Sequence, residues 1–314
     1  MLRISGRDDD LRLRNWLLFA LVVLLWSSNW AAMKIGLGFV SPVPFVLQRF
    51  AVAVVVVFPL FLLLRNRMPR DRATIVGLVV LCLIFVSLVL AQEVGLSNES
   101  SGIGAVLTYT QPLFVFLLAV PFLKEKVTAI KMLGAGVGFV GVVVLSYSGI
   151  GSFTFDSVLI MLLGAFLWAV AVVYYKKYLS HVDAFITHFL QLAVGVLPLL
   201  LLSSTTNSFA FPMDPFFAGI LLYSSIGALA IGNIVWLHLL RQEEATTLSA
   251  STLIIPAVAL IFGWQILGES LTVESLVGAL LTLVGVCLVN LRVASRINGK
   301  VASLLKRTEI AEAA

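Results

Sequence analysis

Apolar runs of about twenty residues, parted by short polar connections, recur along the whole chain. A bilayer core of about 30 Å takes roughly 20 apolar residues wound as a helix. Windows of that length fall at about 16–37, 43–64, 74–92, 101–122, 129–148, 156–175, 184–203, 215–237, 246–267 and 273–291. The connections are mostly under about twelve residues, too short to hold a soluble domain. The pattern predicts an all-α polytopic membrane protein with ten transmembrane helices. The first run is longer than a signal-peptide core and lacks a small-residue cleavage site, so it reads as a retained span.

Composition agrees: 60% of the 314 residues are hydrophobic and 12% charged, where a soluble domain is about 25% charged. The formal charge of +5 would suit a nucleic acid. Its distribution argues for topology instead. With the N-terminus in the cytoplasm, 19 of the 21 Lys and Arg lie on the inner side and the outer loops hold none. Lys34 and Arg49 flank the first outer loop from inside apolar segments. Basic residues collect on the cytoplasmic side. Both termini are therefore expected in the cytoplasm of a multi-pass cell (inner) membrane protein, with the lipid bilayer and no nucleic acid as partner. Cys82 and Cys287 each sit alone in an apolar run, as small hydrophobes do.

The chain also repeats itself. Thr108–Val142 recurs without a gap at Thr252–Val286, an offset of 144. Pro112/Pro256, Glu125/Glu269, Thr128/Thr272, Gly134/Gly278 and Gly141/Gly285 keep register. Such self-similarity marks an internal duplication. Each copy holds five spans, an odd number, so the second must enter the membrane from the opposite side. The expected organisation is a cytoplasmic segment at 1–15, a five-helix repeat at 16–148, an outer linker at 149–155, an inverted repeat at 156–291 and a basic cytoplasmic tail at 292–314. Inverted repeats are the mark of alternating-access transporters, whose substrate sits near the midplane between the halves.

Polar groups at membrane depth are the candidates for chemistry, because they favour a protein interior or a watery cavity. Lys34, Arg49 and Glu93 lie towards the outer side. A charge there is stabilised by a partner, and Arg49 or Lys34 is expected to meet Glu93 in an outer gate or a contact for a substrate carboxylate. Snorkelling of the basic side chains to the headgroups is the alternative. Trp26 and Trp168 correspond at an offset of 142, and Gln92 and Trp236 at 144. The tryptophans either pack on neighbours or line a cavity and stack on substrate. Asn29, Tyr109, Gln111 and Asn233 complete the candidate cavity set, with interhelical hydrogen bonding as the alternative. Pro112 and Pro256 fall mid-span and should kink their helices as hinges. Thr128 and Thr272 read as helix N-caps, with Glu125 and Glu269 complementing the helix dipole. Gly134, Gly138, Gly141, Gly278 and Gly285 permit close helix approach within the scaffold or across a homodimer.

Trp26 to Lys34 (WSSNWAAMK), Pro44 to Phe50 (PFVLQRF), Pro112 to Leu123 followed by KEKVT, and Pro256 to Leu267 followed by GESLT together resemble the EamA-type family of the drug/metabolite transporter superfamily. Lys124 departs from the pattern, which the second copy keeps with Gly268. The resemblance implies ten helices, a central cavity lined by helices 1, 3, 4, 6, 8 and 9, and export of a small metabolite such as an amino acid or related compound.

No nucleotide-cradling G-x-x-x-x-G-K-[ST] loop, His/Glu metal cluster or suggestive nucleophile set is present, so no cofactor, metal or catalytic residue is expected. A rival class, an integral membrane enzyme on lipid-linked substrates, would need His or acidic clusters at one leaflet. A receptor or helper subunit would need larger outer loops.

Overall fold

A computed structural model of the chain describes residues 3–98, 107–146, 155–205, 211–267, 272–274 and 276–289. The expected tail at 292–314, and the linker at 149–155 except Phe155, lie outside the described residues. Among the described residues every regular element is helical. These elements are α1 (Arg3–Leu37), α2 (Pro42–Leu64), α3 (Arg72–Asn98), α4 (Gln111–Leu123), α5 (Ala129–Ser146), α6 (Phe155–Tyr174) and α7 (Ala184–Thr205). Then come α8 (Pro215–Leu222), a π-wound stretch Tyr223–Gly232, α9 (Asn233–Gln242), α10 (Ala245–Ser251) and α11 (Ile254–Phe262). The apolar helix α12 (Leu276–Val289) follows. The expected N-terminal segment is largely the start of α1, which runs unbroken from Arg3.

Among the described residues, seven helical stretches are long and apolar enough to cross a membrane: 13–37, 42–67, 72–97, 155–179, 184–205, 215–242 and 245–266. Shorter apolar helices lie at Gln111–Leu123, Ala129–Val144 and Leu276–Val289. They fall within the fourth, fifth and tenth expected spans. Val55, Leu63, Leu117 and Leu201 stand exposed on these helices, as side chains that meet lipid rather than water do.

Short acidic residues start several helices. Asp214 accepts from the amides of Phe216 (2.7 Å) and Phe217 (3.0 Å), with Pro215 in the first turn where its missing N–H is harmless. Asp183 does the same for Phe185 at 3.0 Å. Asp71 accepts from Thr74 N at 2.8 Å, and that hydrogen bond holds its carboxyl below the usual carboxylate range. Thr128 caps α5 through Lys131 N, at 3.4 Å.

The prolines break their spans rather than bending them. The chain leaves helical form at Tyr109–Thr110 and resumes at Gln111 with Pro112 in the first turn. It does so again at Thr252–Leu253, just before Pro256. The physical reason is local. Pro112 has no donor for the Thr108 carbonyl and Pro256 none for that of Thr252, and a proline is best tolerated in a helix's first turn.

Packing follows the duplication. α3 lies along α6, and α1 lies along the 223–232 stretch; α4 lies along α6, and α1 along α11. Each pair maps onto the other when the first five expected spans are exchanged for the last five. α5 and α12 meet through glycines in antiparallel sense. A Cβ on Gly134 would lie 2.8 Å from the Gly285 carbonyl oxygen, and one on Gly141 would lie 2.7 Å from that of Gly278. The five glycines considered for close approach are all taken up in this seam within the chain.

Lys124 ends α4 at φ 55, the left-handed region, and its amide bonds the Ala119 carbonyl. Glycine is the usual residue for that turn, and the sequence of the second copy has Gly268 at the matching position.

Candidate functional site

A cavity of about 120 Å³ lies where α1, α2, α3, α6, α7 and the 223–242 helix converge with Thr108 and Tyr109, at the break before α4. One water takes roughly 10–15 Å³ by this measure, so the space suits a small organic molecule.

Its walls are largely aromatic. Trp26, Trp168 and Trp236 form a triangle with ring centroids 5.5, 5.4 and 6.4 Å apart. Two of the three pairs are edge-to-face, the favoured geometry for ring quadrupoles. The Trp26 indole N–H donates to the Ala228 carbonyl at 3.2 Å. Trp30, one helical turn from Trp26, pairs with Tyr109 at 6.4 Å. The break before Pro112 is what delivers Thr108 and Tyr109 to the wall.

The polar positions are held by their own elements. Asn29 Oδ1 accepts from Ser224 Oγ at 2.7 Å, tying α1 to the 223–232 stretch. Asn233 donates to the carbonyls of Ala228 (3.3 Å) and Leu229 (3.0 Å), groups that π winding leaves offset from the α pattern. Gln191 reaches the wall from α7 and contacts His188 Nδ1 at 2.9 Å, while His188 Nε2 meets the Leu229 carbonyl at 2.7 Å.

Arg49 and Glu93 form a buried ion pair on the cavity wall. The Arg49 guanidinium lies 5.6 Å from the centroid of the Phe45 ring. Arg49 Nε and Glu93 Oε2 have no hydrogen-bond partner among the described residues. Each such buried atom costs about 1–3 kcal/mol, and buried ion pairs often stabilise no better than apolar packing. Stability alone does not account for this pair.

Away from the cavity wall, polar contacts cross between the two copies. The Glu125 carboxylate accepts from Ala245 N (2.7 Å), Thr246 N (3.0 Å) and Thr246 Oγ1 (2.7 Å), capping α10. This corrects the expectation that Glu125 serves its own following helix; Thr128 does that alone. Lys131 also crosses, pairing with Glu244, whereas Lys176 donates within the second copy to the carbonyls of Leu240 and Glu243, both at 2.6 Å.

Of the sequence candidates, Trp26, Asn29, Gln92, Tyr109, Trp168, Asn233 and Trp236 line the cavity. Gln111 does not; it is buried and donates to Ser249 Oγ at 3.3 Å, on α10. Arg49 meets Glu93, whereas Lys34 donates to the Leu96 carbonyl at 3.3 Å, near the end of α3 where a cation is favoured. Pro112 and Pro256 stand off the wall. The ninth expected helix does not line it either, and α2 and α7 do. The reason is that the Ile255 carbonyl accepts from Ser27 Oγ at 3.1 Å, which docks the ninth helix on α1 away from the opening. Sequence reading missed Trp30, Tyr175 and Gln191. The one-turn spacing from Trp26 signalled the first, and lone polarity in an apolar run signalled the third. Nothing in the spacing marked Tyr175. Among the described residues no group of three His, Cys, Asp or Glu could hold a metal.

The chain matches the EamA-like transporter family twice, over residues 14–147 and 157–291. It is 31% identical to the uncharacterized transporter YvbV of Bacillus subtilis over 284 residues, 88% of this chain and 92% of that one. It is 26% identical over 286 residues to a Salmonella typhimurium protein named "Probable amino-acid metabolite efflux pump", 87% of this chain and 93% of that one. A solved crystal structure aligns with TM-score 0.76 at 18% identity, covering 90% of this chain and 98% of the other. That likeness shows the fold alone.

Proposed function

Because the chain belongs to the EamA-like transporter family of the drug/metabolite transporter superfamily, a family of multi-pass membrane proteins, we propose that it exports an amino acid or related small metabolite by alternating access. The two halves, 16–148 and 156–291, are inverted five-helix repeats that rock about the cavity. The paired family matches, the exchange-related packing and the antiparallel glycine seam support that arrangement. The charge bias supports a cell-membrane orientation with both termini cytoplasmic. Transport is secondary, driven by a gradient.

The observation that carries the reading is the cavity itself. It sits between contributions from both halves, and it combines a tryptophan triangle with a buried ion pair. Apolar walls with a few convergent polar groups are what small-molecule sites have. Trp26, Trp30, Tyr109, Trp168 and Trp236 take the apolar part of the substrate; Asn29, Gln92 and Asn233 are its polar contacts. Arg49 and Glu93 form the outer gate with Lys34 beside them, and the breaks at Pro112 and Pro256 are the hinges. The inner contacts of Glu125 and Lys131 with the second half close the cytoplasmic end.

The test is counterflow in vesicles holding the purified chain. Labelled amino acids, offered one at a time, should exchange with the same compound trapped inside. Trp26→Ala and Trp168→Ala should reduce that exchange to background. Exchange at the original rate in both variants would remove the tryptophans from the site. Exchange of no amino acid by the original chain would remove the substrate class.

A further inference from the structure

Arg49 and Glu93 are the only charged side chains among the described residues of the cavity wall. They are almost wholly buried, they pair with each other, and each keeps one unused polar atom. Arg49 Nε–H is a spare donor and Glu93 Oε2 a spare acceptor. We propose that this pair is the head-group subsite for a zwitterion: Arg49 takes the carboxylate of an α-amino acid and Glu93 takes its α-ammonium. The inference rests on the transport reading above and names the recognition chemistry of that same cavity.

The argument is one of charge balance in a poorly solvated place. The pair is neutral as a whole. A zwitterion is also neutral, and it brings one acceptor group and one donor group. When it enters, the pair opens, and each protein charge exchanges its partner for a ligand charge of the same sign. No charge is left unpaired before, during or after. A simple amine satisfies Glu93 but strands Arg49 and adds a net positive charge. A simple carboxylic acid does the reverse. Stranding one member of a buried pair is far more unfavourable than removing both.

The neighbours fit the assignment. Phe45, fully buried, holds the guanidinium against its face, so Arg49 keeps its place when Glu93 turns to a ligand. Trp30 and Tyr109 pair on the same wall, where a side chain attached to the head group would lie. The ion pair re-forms after release, so the empty carrier can return, and net transport is electroneutral.

The experiment uses the full chain in vesicles, with competition against counterflow of labelled leucine and labelled phenylalanine. The competitors for leucine are 3-methylbutylamine and 4-methylpentanoate; those for phenylalanine are 2-phenylethylamine and 3-phenylpropanoate. Each analogue lacks one head-group charge. Losing one charge-assisted contact should weaken competition by at least about tenfold relative to the parent amino acid. Glu93→Gln should shift preference towards the carboxylic acids, and Arg49→Gln towards the amines. The exchange of both, Arg49→Glu with Glu93→Arg, should recover amino-acid preference. Equal competition by all three compounds would overturn the subsite, as would single variants that weaken every competitor by one common factor. If neither amino acid counterflows in the original chain, the substrate reading above fails before the subsite is tested.

Discussion

Adding one methyl group at Gly285 should pry the two halves apart. A Cβ there would stand 2.3 Å from Gly138 N, 2.4 Å from Gly138 Cα and 2.6 Å from the Gly134 carbonyl oxygen. Ordinary contact begins near 3.4 Å, so the shortfall is about 1 Å, and it is against backbone. No side chain can swing aside. α5 and α12 must separate, and the close contacts at Gly141 and Gly278 loosen with them. Overpacking of this kind costs about 1–3 kcal/mol, a roughly 5- to 150-fold loss in the ratio of folded to unfolded chain. Gly136, on α5 of the same helix pair, supplies the control. Nothing lies within 4 Å of a Cβ there. Gly136→Ala should gain about 0.5–1 kcal/mol, since glycine is the poorer helix former. The assay is thermal unfolding of the purified chain in detergent, followed by tryptophan fluorescence. Gly285→Ala should melt well below the original chain and Gly136→Ala at or above it. An unchanged melt for Gly285→Ala, or a common shift for both, would refute the seam.

Three further outcomes follow from local geometry. Glu125→Ala removes the acceptor for two amides and one hydroxyl of α10, and should cost about 1–3 kcal/mol in the same melt. Lys124→Gly relieves a non-glycine residue at φ 55 and should stabilise the chain by up to about 1 kcal/mol, while leaving counterflow intact. Pro112→Ala returns the missing donor to the Thr108 carbonyl; the fourth span should then run continuous, and counterflow should slow several-fold with no loss of thermal stability.

The helices and their duplication were legible because each rests on short-range pattern: run length, and register at a fixed offset. Much of the cavity was legible too. A polar or aromatic residue in the middle of a span has few other places to go, and Trp26, Asn29, Trp168 and Trp236 went where that logic sends them. What spacing could not settle was choice of partner. Arg49 and Lys34 both flank the connection between the first two spans, and only packing of α2 on α3 gave Glu93 to Arg49. Glu125 sits one turn before a helix it could serve, yet its carboxylate crosses to a helix 120 residues on. Gln111 is polar at depth like Gln92, but faces α10 instead of the opening. The prolines announced a disturbance without telling a kink from a break, because a missing donor is compatible with either.

Alternating exposure of one cavity is the central claim, and two-sided labelling tests it most directly. Cys82 and Cys287 are replaced, and a single cysteine is placed at Ala171, a small residue on the cavity wall. A membrane-impermeant thiol reagent is then applied to sealed vesicles from outside alone, or trapped inside alone. The account predicts modification from both sides, slowed in each case by a transported amino acid. Modification from one side only, during turnover, would contradict it.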